Sequence, residues 1–132
     1  MESLDEIALL VAQCNDCSLH LGRTNPVPGE GHHSAEIMLI GEGPGAREDQ
    51  EGRPFVGPAG QFLEQLLSSI GLSRLDVFIA NMVKCRPPNN RDPFPEELQA
   101  CSKYLEKQIE LVNPLLIVTL GRFSLSRFFP GE

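Results

Sequence analysis

The chain has 132 residues, a formal net charge of −7 and 22% charged residues. This length suits one hydrophobic core and is too small for two ordinary ones, so residues 1–132 are predicted to form a single domain. No run of about 18 apolar residues exists, so no membrane span is expected. The N-terminus carries acidic residues and no basic leader, which argues against a secretory signal and predicts a cytoplasmic protein.

The acidic balance argues against a generic nucleic-acid binder, because such domains are usually basic and hold phosphates by counterion release. Five basic residues nevertheless lie in or beside the loops described below, where the local charge can differ from the overall sum. They are Arg47, Arg53, Lys84, Arg86 and Arg91. A solvated surface with scattered arginines is the alternative interpretation.

The first predicted element is a helix that begins after Ser3, which forms a capping-box pattern with Glu6, and runs to about Gln13. Cys14 and Cys17 follow at its end. Two thiols three residues apart on a tight turn can reach one cation, so this spacing recurs in zinc and iron–sulfur sites.

Cys85 and Cys101 complete a set of four cysteines. In a cytoplasmic chain these favour metal ligands or redox groups over disulfides, because that compartment keeps thiols reduced. The spacing leaves open a zinc ion, a four-iron, four-sulfur cluster, and the plainer interpretation that Cys85 and Cys101 are ordinary strand-end and core thiols.

Residues 19–35 are rich in glycine and proline and are predicted to be an irregular loop. Three histidines lie in this stretch: His20, His32 and His33. No further ligand stands at metal-binding spacing beside the histidine pair, which favours exposed loop histidines.

Residues 37–40 are a short apolar run that ends at Gly41, the pattern of a buried parallel strand. Glycines and prolines dominate the next 17 residues, and glycine lets a backbone approach a ligand closely. A loop of this kind at the carboxyl end of a strand is where open α/β sheets bind ligands. An amphipathic, core-facing helix is predicted from Pro58 to Ile70, and Gly71 ends it.

The remaining pattern repeats the alternation of strand and helix. Residues 77–80 are a second buried strand that ends at Asn81. A helix from about Pro95 to Val112 places Cys101 on its inward stripe. Residues 115–121 are a third strand, and a last helix follows over 123–129. This order predicts a three-layer αβα fold with a central parallel sheet.

Two motifs resemble those of the family 4 uracil-DNA glycosylases, the iron–sulfur type. The first is GEGPG at residues 41–45 with GRPFVGPAG at 52–60, and the second is NMVKCRPP at 81–88. With the four cysteines, the resemblance covers nearly all of the chain. It implies a uracil-DNA glycosylase-like fold and an enzyme of base excision repair that hydrolyses the N-glycosidic bond of uracil after flipping the base into a pocket. The implied partner is uracil-containing DNA, with no membrane and no evident obligate protein partner.

The resemblance also implies which residues form the site. The substrate-binding positions are Glu42, Gly43, Pro44, Phe55 and Asn81, and the catalytic positions are Glu42, Glu48 and Asn81. A ring at 55 offers a face for base stacking. An amide at 81 can donate to uracil O4 and accept from N3–H, and cytosine presents the reverse pattern.

The first motif also implies roles for backbone amides and carboxylates, and Phe55, Asn81 and Glu48 each have a plainer interpretation. Amides at Glu42 and Gly43 can stabilise the developing uracil anion, and a carboxylate at 42 or 48 can favour the cationic sugar or orient water. Glu48 is further implied in excluding the thymine methyl group. Alternatively, Phe55 is core packing, Asn81 is a strand-end turn residue and Glu48 is an acidic surface residue.

For the cofactor, the resemblance implies a structural four-iron, four-sulfur cluster held by Cys14, Cys17, Cys85 and Cys101, with zinc as the alternative. Family members continue with another strand and a His-Pro motif whose histidine donates to uracil O2, and nothing in this sequence matches that motif. We therefore expect a C-terminally incomplete domain or a shortened relative that lacks the C-terminal strand. We also expect an unpaired edge on the third strand and much lower activity than in a full-length relative.

Two other functions are compatible with parts of the sequence. One is a truncated iron–sulfur module that binds nucleic acid or uracil with little or no turnover. The other is a nucleotide-binding α/β domain, because Gly41-x-Gly43-x-Gly45 superficially resembles a dinucleotide loop. The second is disfavoured, since the GxGxxG spacing is not met.

Overall fold

Three of the predicted elements meet in one sheet. The computed structural model describes residues 2–130, so residues 1, 131 and 132 of the predicted domain lie outside it. Strand β2 (Ile37–Gly41) lies between β3 (Phe78–Asn81) and β4 (Leu116–Thr119), and both pairings are parallel. The predicted central parallel sheet is therefore confirmed.

The segment before β2 is more ordered than the sequence predicted. It contains a 3₁₀ turn at Ser18–Leu21 and a two-residue strand, β1 (Glu30–Gly31). Strand β1 pairs antiparallel with β3, so the strand order in the described part of the chain is β1-β3-β2-β4. The prediction of a wholly irregular loop was wrong because a two-residue strand has too few residues to show alternation.

Within residues 2–130, five α-helices surround the sheet. They are α1 (Leu4–Ala12), α2 (Ala46–Glu51), α3 (Pro58–Ser69), α4 (Pro95–Val112) and α5 (Arg122–Phe128). Helix α1 begins at the predicted cap, where Ser3 Oγ accepts from the Glu6 amide at 3.1 Å. Helix α2 was not predicted, since its six residues lie within the glycine- and proline-rich stretch.

Apolar side chains cover both faces of the sheet. Because successive strand residues point to opposite faces, Met38, Ile40, Phe78 and Ala80 pack with α1 and α4 on one side. Residues Leu39, Val77 and Ile79 pack with Leu63 and Leu67 of α3 on the other. The αβα layering that the alternation predicted is present.

The predicted inward stripe of α3 is only partly correct. Leu63 and Leu67 are buried, whereas Phe62, Leu66 and Ile70 are 61%, 50% and 67% exposed. The apolar surface of this helix is wider than the sheet can cover, so one of its two apolar rows faces outward.

Strand β4 is an edge of the sheet in the described part of the chain, as predicted. Its residues are half-buried or exposed, and Leu115 just before it is 84% exposed. No helix within residues 2–130 combines the length and apolar character that crossing a bilayer requires.

Candidate functional site

Two adjacent strands end at the place where the glycine-rich loop begins. Gly41 of β2 stands opposite Asn81 of β3 in the parallel register. The pairing continues beyond the strands, since the Met82 amide donates to Gly41 O at 2.9 Å and the Val83 amide to Glu42 O at 3.1 Å. The two segments that carry the predicted site are thus joined at the carboxyl edge of the sheet.

A pocket with about 320 Å³ of empty space opens at this edge, and we call it the strand-end pocket. It is lined by Gly43, Glu48, Phe55, Ala59 and Asn81. Three predicted substrate-binding positions, Gly43, Phe55 and Asn81, therefore meet in one pocket together with Glu48.

Gly41 forms the floor on which the ring and the amide converge. A Cβ at this position would lie 2.5 Å from Asn81 Oδ1 and 2.6 Å from Phe55 Cζ. Asn81 is only 2% exposed, and within residues 2–130 no protein group hydrogen-bonds to its side-chain amide. A buried amide without a partner in the protein retains its donors and acceptor for a ligand.

Glu48 shapes the turn that carries Phe55. Its Oε2 accepts from the amides of Val56 at 2.9 Å and Gly57 at 2.8 Å, and Oε1 accepts from the Gly45 amide at 3.0 Å. Burial opposes ionisation of this carboxyl, but the backbone hydrogen bonds, the Gly57 bond foremost, outweigh it and lower the pKa of Glu48. The carboxylate is therefore ionised at neutral pH.

Glu42 and Pro44 lie at a different pocket, which shares Gly43 with the first. This second pocket has about 410 Å³ of empty space between the GEGPG loop and residues 87–93, and we call it the Pro44 pocket. The Glu42 carboxylate accepts from the amides of Phe123 at 2.8 Å and Ser124 at 2.9 Å, and so caps α5. The structure does not bring the Glu42 side chain to Phe55 and Asn81.

All four cysteines line a third pocket, with about 330 Å³ of empty space, which we call the cysteine pocket. Cys14 and Cys17 come from the turn after α1, Cys85 follows β3, and Cys101 lies on α4. Burial raises the pKa of the Cys17, Cys85 and Cys101 thiols, that of Cys101 to about 11. Any metal binding here would have to displace protons.

Hydrogen-bond donors lie close to two of these sulfurs. Arg23 Nη1 donates to Cys85 Sγ at 3.2 Å and to Cys14 O at 2.8 Å, and the Lys84 amide donates to Cys101 Sγ at 3.3 Å. Hydrogen bonds of this kind tune and orient metal-binding thiolates. Sequence reasoning missed Arg23, because a lone arginine in a loop has no distinguishing pattern.

The geometry of a single-ion site is not met here. Within residues 2–130, no group of three or more His, Cys, Asp or Glu side chains is arranged to hold a metal ion. Sulfurs bound to one tetrahedral Zn²⁺ stand only about 3.8 Å apart, given a Zn–S bond of about 2.3 Å. All four thiols nevertheless line one pocket, so three separate segments of the chain contribute sulfurs to the same place.

The basic residues expected near the loops are mostly occupied within the protein. Lys84 is buried, its Nζ donates to Asn81 O at 2.9 Å and Gln108 Oε1 at 2.6 Å, and burial lowers its pKa to about 8. Arg91 binds the buried carboxylate of Glu97 through two bonds of 2.8 and 2.9 Å. The suggestion that Lys84 adds to the charge of the surface is wrong, because its polar head points inward.

The other three arginines also have partners. Arg53 forms two 2.8 Å bonds to Glu30, Arg47 pairs with Glu51 at 3.5 Å, and Arg86 donates to Asn90 at 2.8 Å. Arg47 is 64% exposed and Arg53 52% exposed, so both remain accessible from solvent.

Comparison with known proteins identifies the family. A family model described as the uracil DNA glycosylase superfamily matches residues 28–131. The chain is 52% identical to a type-4 uracil-DNA glycosylase of Thermotoga maritima over 131 residues, which are 99% of this chain and 68% of that protein. The chain belongs to the type-4 uracil-DNA glycosylases.

Two further type-4 glycosylases show the same relation. The protein of Saccharolobus solfataricus is 58% identical over 98% of this chain and 60% of its own length. That of Archaeoglobus fulgidus is 54% identical over 98% of this chain and 65% of its own length. The chain thus spans about three fifths to two thirds of the type-4 glycosylases that it matches.

Proposed function

We propose that the protein to which this chain belongs removes uracil from DNA by hydrolysing the N-glycosidic bond of a base flipped into the strand-end pocket. One observation carries the proposal: the Phe55 ring and the Asn81 side-chain amide, which no protein group within residues 2–130 binds, converge over Gly41 in one pocket. The relatives named type-4 uracil-DNA glycosylase support the same reaction.

Asn81 is proposed to select uracil. An amide whose NH₂ group faces O4 and whose oxygen faces N3–H complements uracil and opposes cytosine. Lys84 Nζ, bound to Asn81 O, helps to hold this residue in place. Phe55 is proposed to supply the stacking face, which is worth about 1 to 3 kcal/mol for a base on an aromatic ring.

The two carboxylates are proposed to act differently. Breaking the bond between C1′ and N1 leaves positive charge on the sugar and negative charge on uracil. Glu48 is ionised and lines the pocket, so it favours the cationic sugar and limits the space for a methyl group at C5. Glu42 and Gly43 contribute through backbone amides near the developing anion, with Pro44 stiffening the loop between the two pockets.

For the cofactor, we propose a four-iron, four-sulfur cluster held by Cys14, Cys17, Cys85 and Cys101. Support comes from four thiols that line one pocket, although within residues 2–130 no three of them are arranged as ligands of a single ion, and from Arg23 and buried Lys84 nearby, which offset negative charge. Such a cluster would join the turn after α1, the segment after β3 and helix α4. Its proposed role is structural, because base hydrolysis transfers no electron.

The proposed partner is uracil-containing DNA, with no membrane and no obligate protein partner. A flipped base needs only a local contact surface, so the overall net charge of −7 does not oppose this proposal. Exposed Arg47 lies beside the Phe55 loop, close to Gly57, and is available to phosphates. Free thiols at the cluster positions fit a cytoplasmic location.

Uracil release from labelled single- and double-stranded oligonucleotides, with excess protein, tests the reaction. We expect Asn81→Asp to lower the rate by about 10² to 10³, because a carboxylate cannot donate to O4. Asn113→Asp, an exposed substitution after α4 and away from both pockets, should leave the rate unchanged. For stacking, Phe55→Ala should weaken binding while Phe62→Ala, on the exposed row of α3, should not.

The same assay decides between the two leading functions. Binding of uracil-containing DNA without release would favour the binding module that lacks turnover. If the unaltered chain neither binds nor cleaves uracil-containing DNA in preference to thymine-containing DNA, the proposal is wrong.

A further inference from the structure

Phe55 adopts a backbone conformation that its own chemistry does not favour. Its φ angle is +51°, in the left-handed region that bulky L residues rarely occupy. Such a conformation persists only where the surrounding structure enforces it, and it is common at ligand-binding sites. The groups that enforce it therefore control where the Phe55 ring lies.

Arg74 binds the two carbonyl groups on either side of the Phe55 Cα atom. Its Nη1 donates to Phe55 O at 2.7 Å, and its Nη2 donates to Pro54 O. Successive carbonyls point in opposite directions in an extended chain and in similar directions in helical conformations, including the left-handed one. A planar guanidinium fork can bind both only in the second case. The arginine thus disfavours an extended conformation of Phe55 and is compatible with the left-handed one observed.

Glu48 binds the backbone amides of the two residues after Phe55. Its Oε2 accepts from Val56 and Gly57, so the four polar groups from Pro54 O to the Gly57 amide are fixed by two side chains of opposite charge. Gly60 lets helix α3 approach this turn, since a Cβ there would lie 1.8 Å from Phe55 O.

The environment of Arg74 indicates a dedicated role. Its side chain is only 11% exposed, and its Nη2 lies 3.3 Å from Glu30 Oε2. In the described part of the chain its Nε is buried with no hydrogen bond, at 3.5 Å from Glu64 Oε1. The guanidinium is therefore positioned to bind the two carbonyl groups, while its Nε donor is left without a hydrogen bond in the described part of the chain.

We propose that Arg74 is a positioning residue that holds the Phe55 ring where a flipped base stacks on it. This inference rests on the proposed function and deepens it, since it extends the base site to a residue that touches no base. It also predicts that part of the stacking contribution is lost when residue 74 is changed.

A double-mutant cycle tests the inference. We would measure the dissociation constant of a uracil-containing single-stranded oligonucleotide for Arg74→Gln, Phe55→Ala and the double variant. Arg74→Gln should weaken binding about tenfold, part of the loss expected on removing the stacking ring. The double variant should bind no more weakly than Phe55→Ala alone. Independent losses that multiply, or no loss in Arg74→Gln, would overturn the inference.

Two further variants separate positioning from general destabilisation. Arg53→Gln removes an arginine that, like Arg74, pairs with Glu30, whereas the Pro54 and Phe55 carbonyls are bound by Arg74. The dissociation constant of this variant should lie within about twofold of that of the unaltered chain. Arg74→Lys keeps the charge and can reach one carbonyl but not both as a fork, so its affinity should be intermediate. Equal losses in Arg53→Gln and Arg74→Gln would contradict the inference.

A fluorescence measurement makes failure of this inference distinguishable from failure of the proposed function. The chain contains no tryptophan, so Phe55→Trp introduces a single reporter at the stacking position. Adding Arg74→Gln should raise its acrylamide quenching about twofold as the turn opens, and adding Arg53→Gln should not. Unchanged quenching in the Arg74 variant would refute the positioning role even if uracil is bound. Raised quenching in a chain that does not bind uracil would refute only the proposed function.

Discussion

The strand-end pocket and the cysteine pocket share one short segment of chain but are assembled in different ways. Asn81 ends β3 and lines the first pocket, and Cys85, four residues later, lines the second. The strand-end pocket joins loops that follow two adjacent parallel strands, so the sheet register itself brings them together. The cysteine pocket joins three distant segments through helix packing.

The two pockets also differ in how their polar groups are stabilised. In the strand-end pocket, Glu48 receives three backbone hydrogen bonds, and the Phe55 turn is held without any ligand. In the cysteine pocket, thiols from three segments surround one space, and the proposed cluster would join them covalently. We therefore expect the strand-end pocket to be preorganised by protein groups and the cysteine pocket to depend on the proposed cluster.

The largest effect is expected for loss of a cluster ligand. Cys101→Ser should abolish brown visible absorption and bound iron, and should lower the free energy of unfolding by at least about 3 kcal/mol, because binding energy at a structural metal site is folding energy. Iron analysis and thermal unfolding measure both effects. Ser102→Ala, the next residue of α4, serves as control. Full iron content and unaltered stability in Cys101→Ser would show that the cysteine pocket does not need its cofactor.

A second prediction concerns the carboxylate that braces the cysteine pocket. Glu97 is 1% exposed, binds Arg91 through two bonds and accepts from Ser18 Oγ, one residue after Cys17. Glu97→Gln should lower the free energy of unfolding by about 3 kcal/mol, because it leaves the Arg91 guanidinium without its charged partner. Urea unfolding measures this change, and exposed Glu96→Gln is the matched control. A loss no larger than the control's would mean that the packing around the cysteines needs no such brace.

The corresponding carboxylate of the strand-end pocket should have a smaller effect. Glu48→Gln should lower the free energy of unfolding, measured by urea unfolding, by about 2 kcal/mol, because an amide replaces an ionised acceptor of backbone hydrogen bonds. Glu51→Gln on the same helix, whose carboxylate pairs with Arg47 at the surface, should lower the free energy of unfolding far less. Equal losses in the two variants would show that the Phe55 turn is held by other contacts.

The effect of Glu48 should also depend on pH in a defined direction. Its pKa in the folded protein lies below the ordinary value of 4.5, so its stabilisation is complete above pH 4.5 and disappears as the pH falls through the folded pKa. The stability difference between the unaltered chain and Glu48→Gln should therefore shrink on acidification below pH 4.5. Urea titrations at pH 7 and at acidic pH measure it, and a difference that grows on acidification would contradict the hydrogen-bonding account.

The smallest effect is expected for an exposed ion pair next to the Phe55 turn. Arg53 is 52% exposed and pairs with Glu30. Arg53→Gln should change the free energy of unfolding by less than about 1 kcal/mol, because solvent screens exposed ion pairs. Urea unfolding at low and high salt checks this value. A larger loss of unfolding free energy than in Glu48→Gln would show that the Arg53–Glu30 pair, and not Glu48, is the main stabilising contact of this turn.

Sequence reasoning reached the elements whose signals are local. The alternation of apolar runs with helical repeats located β2, β3, α3 and α4. The Asn113–Pro114 pair correctly located the end of α4, where Asn113 adopts the left-handed conformation of a helix cap. Local patterns failed where an element was very short, as in β1 and α2. They also failed on α3, where the sheet decides which of two apolar rows is covered.

At the candidate site, the same division holds. The glycine-rich motif indicated Phe55, Asn81 and Glu48, and the structure brings these three together; their chemical roles stay predictions. Nothing in the pattern indicated Arg74 or Arg23, because each acts on groups about 19 or 62 positions away in the chain.

By itself, the sequence determined the alternation of strands and helices, the family, and the residue types available for recognition, because each of these is encoded in short stretches of chain. Only the tertiary structure decided that Glu42 caps α5 while Glu48 faces Phe55, that Lys84 points inward, and that four distant thiols surround one space. The physical reason is that such choices depend on which surfaces the sheet register and helix packing bring into contact, and no local pattern contains that information.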